Sequence, residues 1–245
     1  MAVVQALFLT GLIGGVSLFY ATAGQAGGTA FLAVMTFAAF PATQMRPTAL
    51  LLNVVAAGYA TWRLHHKAAI ERKLLLQVTI PSLITAFAGG LIVLAGHVYF
   101  VLTGILLLLA GSLLIFRRSA DTLEIRPVQP LQAAMVGAVA GFVSGLTGVG
   151  GGVFLSPLLI ALAWTSPRRA AQLSPPFILC NSAVGLAGVL IAGQTPAPGT
   201  SLYAFGALAG AMAGTAIGHR WMSERSTRYV LAAILLFAGF RLLMR

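Results

Sequence analysis

Acidic residues are scarce in this chain: 4 Asp and Glu among 245 residues, against 15 Lys and Arg, for a formal net charge of +11. Charged residues make up only 8% of the sequence, where a soluble domain carries about 25%. So few charges cannot clothe a water-exposed surface, which excludes a soluble globular enzyme and a disordered chain. The basic excess does not indicate a nucleic-acid partner in a chain that is 59% apolar with a mean hydropathy of +0.95. It is read instead against a lipid bilayer, where Lys and Arg set orientation. Cysteine is nearly absent. Cys180 alone excludes a disulfide framework and a multi-cysteine metal site. It reads best as a small buried hydrophobe. No Gly-x4-Gly-Lys-Ser/Thr pattern occurs, so there is no phosphate loop for ATP. No cofactor is expected.

What remains is an all-α polytopic membrane protein. A span needs about 20 apolar residues to cross roughly 30 Å of hydrocarbon. Ten apolar segments are legible: 3–22, 27–40, 47–63, 74–95, 98–116, 131–147, 151–165, 174–192, 201–218 and 228–244. No Lys or Arg precedes Arg46, so 3–22 is read as mature structure rather than a signal peptide. The second and seventh segments are short, and each follows a glycine cluster, Gly24-Gln25-Ala26-Gly27-Gly28 and Gly148-Val149-Gly150-Gly151-Gly152.

The chain repeats itself. Gln44, Pro47 and Asn53 match Gln172, Pro175 and Asn181 at an offset of 128. Gly24, Gly27 and Gly28 match Gly148, Gly151 and Gly152 at 124, and Gly11 and Gly15 match Gly137 and Gly141 at 126. The shared order predicts two repeats, 1–120 and 121–245, with 117–130 as a cytoplasmic linker. Each repeat is expected to be a glycine-broken helical hairpin followed by three full transmembrane helices. That odd number of spans inverts the second repeat relative to the first. This topology puts both termini outside the cytoplasmic membrane and 12 basic residues inside, leaving Arg46, Arg241 and Arg245 outside. The loops 63–73, 166–173 and 219–228 fall inside. Trp62, Trp164 and Trp221 fall near the cytoplasmic ends, as an interfacial belt would. The rival merges each hairpin into one broken span and makes the halves parallel. It would place five arginines of 166–173 and 219–228 outside.

Short glycine-interrupted segments at matching places in two halves mark a transport site. Helices starting near 28 and 152 would aim free N–H groups at it, which suits an anion. The plainer reading of the glycines is a tight turn. Asn53 and Asn181 read either as interhelical glue or as amides facing substrate. Gln25, Ser144, Thr147, Ser156 and Gln172 could add neutral donors. The candidate substrate site is therefore Gly24, Gln25, Gly27, Gly28, Asn53, Ser144, Thr147, Gly148, Gly150, Gly151, Gly152, Gln172 and Asn181. Glu71, Asp121, Glu124 and Glu224, with His65, His66, His97 and His219, are all expected in loops. No mid-span carboxylate or histidine is then left for a proton relay, a metal or an intramembrane enzyme. Arg46, near the outer mouth beside Pro47, reads as an interfacial anchor or, alternatively, as a charge that attracts anions. Gly206, Gly210, Gly214 and Gly218, and their counterparts Ser82, Ala86 and Gly90, form ridges for close helix packing.

The stretch Gly141-Phe-Val-Ser144-Gly145-Leu-Thr-Gly148-Val-Gly150-Gly151-Gly152-Val-Phe-Leu-Ser-Pro157 resembles the TauE/SafE family of sulfite exporter-like transporters. That family has a glycine-rich stretch and an apolar run with Pro in each of two repeats. The resemblance extends over nearly the whole chain in segment layout and is most specific at 141–157. The first half departs from the pattern, with Ala26 where the Gly triplet would begin and Ala33 where Pro157 would align. The resemblance implies a secondary carrier for sulfite, thiosulfate, sulfonates or similar organic anions, without an ATP-binding subunit. The expected partners are a small anionic substrate, the lipid bilayer and, left open, a coupling ion. An anion channel and a non-transporting membrane subunit stand as alternatives.

Overall fold

The computed structural model describes residues 2–65, 71–116, 125–217 and 224–244. These form ten α-helices and no strand: α1 (Ala2–Thr22), α2 (Gly28–Phe37), α3 (Ala42–His65), α4 (Arg72–Leu91), α5 (Gly96–Phe116), α6 (Pro130–Thr147), α7 (Gly152–Ala161), α8 (Pro167–Ile191), α9 (Thr200–Ile217) and α10 (Glu224–Leu243). Among the described residues, six helices (α1, α4, α5, α6, α8 and α9) are long and apolar enough to cross a membrane. Large apolar side chains such as Phe8, Ile84, Leu131 and Phe205 stand exposed on their outer faces, where lipid would cover them. α2 and α7 have 10 residues each, about 15 Å, and are too short to span.

The two short helices are built alike. Each starts at a left-handed glycine, Gly27 or Gly151. Each ends at a left-handed alanine, Ala39 or Ala163, 124 residues apart. The closing bonds also correspond: Phe40 N–H donates to the Met35 carbonyl and Trp164 N–H to the Leu159 carbonyl.

Packing is exchanged between the halves. Gly206, Gly210 and Gly214 of α9 lie against the backbone of Thr10, Gly14 and Leu18 of α1, so these two helices run parallel. Gly137, Gly141 and Gly145 of α6 lie in the same way against Val78, Ser82 and Ala86 of α4. A Cβ at Gly206 would come within 2.5 Å of the Thr10 carbonyl oxygen, and at the other five glycines the collision is closer still. The expected ridges therefore serve helix packing. α5 and α10 cross antiparallel at Gly104 and Gly239, and α3 and α8 antiparallel through Gly58 with Leu179 and Gly185 with Leu50.

Several expectations are corrected. α3 and α8 begin at Ala42 and Pro167, ahead of the apolar segments 47–63 and 174–192, so Pro47, Pro175 and Pro176 lie inside helices. Proline removes an intrahelical bond, but neighbours in a membrane bundle can take up the freed carbonyls. The Ala171 carbonyl, which Pro175 leaves without its i+4 donor, faces Gly24 of the other half. Arg168 and Arg169 thus belong to the first turn of α8, where Ser166 caps the Arg169 N–H, rather than to a loop. His97 sits in the first turn of α5 rather than in a loop. Trp62 is 60% exposed, as an interfacial residue would be, but Trp164 is 5% exposed and packs with Leu74, Leu159 and Leu173. His66, Lys67, Arg117, Arg118, Asp121, Glu124, Gly218, His219, Arg220, Trp221 and Arg245 lie outside the described residues.

One end of the bundle gathers the ends of α3, α7 and α9 and the starts of α4 and α8. Arg63 donates to Thr215 Oγ1 at 2.9 Å there, and Arg126 N–H to the Ala163 carbonyl at 2.8 Å. Arg63, Arg72, Lys73, Arg126, Arg168 and Arg169 therefore share that end.

Candidate functional site

The connections α1–α2 and α6–α7 fold back into the bundle and meet. Gly24, Gln25, Gly27 and Gly28 in one, and Gly148, Gly150, Gly151 and Gly152 in the other, are buried or nearly so. Gly28 has no room for a side chain, because a Cβ would strike both the Val149 carbonyl oxygen and the Asn53 amide. Gly150 has φ 87°, and a Cβ there would lie 2.7 Å from Asn53 Nδ2 and 3.2 Å from Ser182 Oγ. Left-handed backbone and close approach together demand glycine at this position. Gly152 faces Ile178 and Gln25 Oε1, and Gly151 faces Phe177 and Ser144.

Asn53 stands at the junction. It is fully buried on α3, and its Nδ2 donates to the Gly148 carbonyl at 3.4 Å. Asn181 is equally buried on α8, but its Nδ2 donates back to the Phe177 carbonyl at 2.9 Å, within its own helix. Gln25 Nε2 donates to Ser156 Oγ at 3.3 Å, across the two halves. Ser156 in turn shares a hydrogen bond with Ser174. Thr147 is committed to the turn: its hydroxyl donates to the Val143 carbonyl at 2.6 Å and accepts from Val149 N–H at 3.3 Å. Gln172 is half-buried in the second turn of α8, beside the Ala171 that abuts Gly24.

Five buried polar atoms here lack a hydrogen-bond partner: Gln25 Oε1, Asn53 Oδ1, Ser144 Oγ, Asn181 Oδ1 and Ser182 Oγ. An orphaned buried polar group costs about 1–3 kcal/mol. Such a concentration around two irregular turns is what a ligand or water would satisfy. The starts of α2 and α7 both face this centre, each carrying about half a positive charge from the helix dipole. Among the described residues no carboxylate joins the cluster, and no group of His, Cys, Asp or Glu could hold a metal ion.

Two parts of the centre were not anticipated. Ser182 follows Asn181 directly and faces Gly150, a placement that the α3–α8 crossing makes and no motif announces. Arg46 is not an interfacial anchor. It is 1% exposed and donates hydrogen bonds to the carbonyls of Gly89, Gly90, Ile92 and Gly145. α3 starts at Ala42, so Arg46 lies in its second turn rather than ahead of the helix.

The comparisons place the chain. The family described as "Sulfite exporter TauE/SafE" matches residues 7–242. The chain belongs to the TauE/SafE family. This is a family of membrane transporters, not of enzymes. The "Probable membrane transporter protein y4hK" of Sinorhizobium fredii is similar, at 30% identity over 232 residues, covering 93% of this chain and 94% of that protein. No solved structure matches. Membership makes this TauE/SafE protein a multi-pass membrane transporter with a small substrate.

Proposed function

We propose that this TauE/SafE transporter moves a small anion such as sulfite, thiosulfate or a sulfonate through the centre where its two glycine turns meet. The observation that carries the reading is the junction itself: two helix N-termini, buried orphaned polar groups and the Asn53 amide, joined by no carboxylate of the described residues. Donors and positive dipole ends suit an anion. Ser144 and Ser182 carry orphaned hydroxyls that can donate, and each amide N–H2 has a second hydrogen beyond the one given to the Gly148 or Phe177 carbonyl, so Asn53 and Asn181 can also serve as donors. Gly24, Gln25, Gly27, Gly28, Ser144, Thr147, Gly148, Gly150, Gly151, Gly152 and Gln172 complete the proposed surroundings.

The proposed mechanism is alternating access between inverted repeats, 1–120 and 121–245. The exchanged pairs α1–α9 and α4–α6, and the antiparallel pairs α3–α8 and α5–α10, are those an in-plane two-fold axis would generate. The protein would sit in the cytoplasmic membrane with both termini outside and the arginine-rich end inside. A coupling ion belongs to the same reading as an open partner. The test is uptake by proteoliposomes of sulfite, thiosulfate, methanesulfonate and acetate, with and without ion gradients. Saturable uptake of the sulfur oxyanions supports the reading. Uptake of none of these anions in oriented, folded preparations refutes it.

A further inference from the structure

Arg46 is a charge in the bundle interior that donates its hydrogen bonds to backbone carbonyls, with the Tyr99 side chain nearby. Nε donates to the Gly145 carbonyl at 2.8 Å and Nη1 to the Ile92 carbonyl at 2.7 Å. Nη2 donates to the Gly89 and Gly90 carbonyls at 2.6 and 2.8 Å. Gly89 and Gly90 belong to the last turn of α4 and Gly145 to the last turn of α6, so two negative helix ends hold the cation in place. Carbonyl dipoles fix a guanidinium but do not cancel its net charge, and a guanidinium keeps its proton in proteins. An ionisable side chain buried within a membrane bundle is by default a candidate for the substrate pathway.

The backbone and stem of Arg46 border the proposed site. The Gly148 backbone packs on Arg46, where a Cβ would sit 3.2 Å from both Arg46 Cα and Cγ. Asn53 follows seven residues along α3, about 10 Å at a rise of roughly 1.5 Å per residue. The matching position in the second half is Ser174, which is neutral and bonds to Ser156 and the Ala170 carbonyl. The field is therefore supplied by one repeat only.

We infer that Arg46 sets the charge selectivity of the site, favouring a dianion over a monoanion. The inference rests on the anion-site reading above. At an effective dielectric of about 20 and a separation of about 10 Å, the attraction is about 1.7 kcal/mol per unit of ligand charge, or roughly 15-fold in affinity. Neutralising Arg46 should then cost a dianion about the square of what it costs a monoanion, on the order of 200-fold against 15-fold.

The test is calorimetric titration of purified protein with thiosulfate, a dianion, and methanesulfonate, a monoanion. Arg46→Gln keeps a donor for the carbonyls and removes the charge. It should weaken thiosulfate binding by at least ten times the factor for methanesulfonate. Arg46→Lys keeps the charge and loses the forked bonds. It should lower Tm while holding the thiosulfate preference within about threefold. Equal losses for both anions in Arg46→Gln would make Arg46 a strut and overturn the inference. Should Arg46→Gln not fold, Arg46→Lys decides: a kept preference at lowered Tm supports the role, and a lost preference overturns it. A wild type that binds neither anion overturns the anion site itself, an outcome distinct from equal losses in a wild type that binds both.

Discussion

Replacing Asn53 by Asp tests the junction with almost no change in shape. Asn53 Nδ2 donates to the Gly148 carbonyl at 3.4 Å, so an ionised carboxylate would set an acceptor against an acceptor. It would also place a negative charge where both glycine turns converge. Two like charges 4 Å apart repel by about 4 kcal/mol at an effective dielectric of about 20, or roughly a thousandfold in anion affinity. Desolvation can instead keep the Asp protonated. The loss then grows as pH rises through its pKa, because only the deprotonated form repels the anion. Asn181 Nδ2 makes its bond within α8, whereas Asn53 Nδ2 bonds to the second glycine turn. Asn181→Asp should therefore cost less. Asn53→Ser, which keeps a small donor, should also do less harm. Anion affinity and Tm measured together across pH separate site from glue. Unchanged affinity in Asn53→Asp at a pH where the carboxylate is shown to be ionised would refute the placement of Asn53 in the site. A fall in Tm without a selective fall in affinity would make it helix glue.

The remaining expectations are briefer. Gly150→Val puts a branched side chain on left-handed backbone against Asn53, Ile178 and Ser182; transport should fall at least tenfold while the protein still inserts and purifies as a folded species, and normal flux would make the stretch a tolerant turn. Gly141→Leu should prise α6 from Ser82 of α4 and lower Tm sharply, whereas Gly11→Ala has open space and should leave Tm unchanged or raise it by a helix-propensity gain of up to about 1 kcal/mol; equal Tm values would contradict the packing. Reporters fused at residues 1 and 245 should both report outside, and a reporter inserted at 121 inside; termini on opposite sides would rule out the inverted arrangement.

Much of the architecture could be read before any coordinates because apolar run length and glycine clusters are local signals. The shortness of 27–40 and 151–165 anticipated α2 and α7, and the clusters before them anticipated the two glycine turns. The ends of α3 and α8 could not be read this way. Proline marks a helix start when only local bonding is counted, and the Ala171 carbonyl left open by Pro175 is accommodated by a glycine 147 residues away in sequence. Burial is non-local for the same reason. Arg46 looked like an interfacial cation because nothing near it in sequence offers a counter-charge, and its acceptors come from the distant ends of α4 and α6. Trp164 looked interfacial by position, yet α4 and α8 close over it. Among the candidate site residues, repetition picked out the glycines and Asn53, which the fold brings together. The unequal roles of Asn53 and Asn181 were not, since identical residues at matching positions bond differently once the halves pack.

Counterflow in proteoliposomes tests the central claim most directly. Vesicles loaded with unlabelled sulfite and diluted into a trace of labelled sulfite should take up label transiently above equilibrium, as a carrier with one alternating site requires. The uptake should saturate with external sulfite and be lost in Gly150→Val. Labelled sulfite that only equilibrates, without overshoot or saturation, would contradict an alternating-access carrier and favour an open pore. No sulfite flux above that of empty vesicles would contradict the anion site.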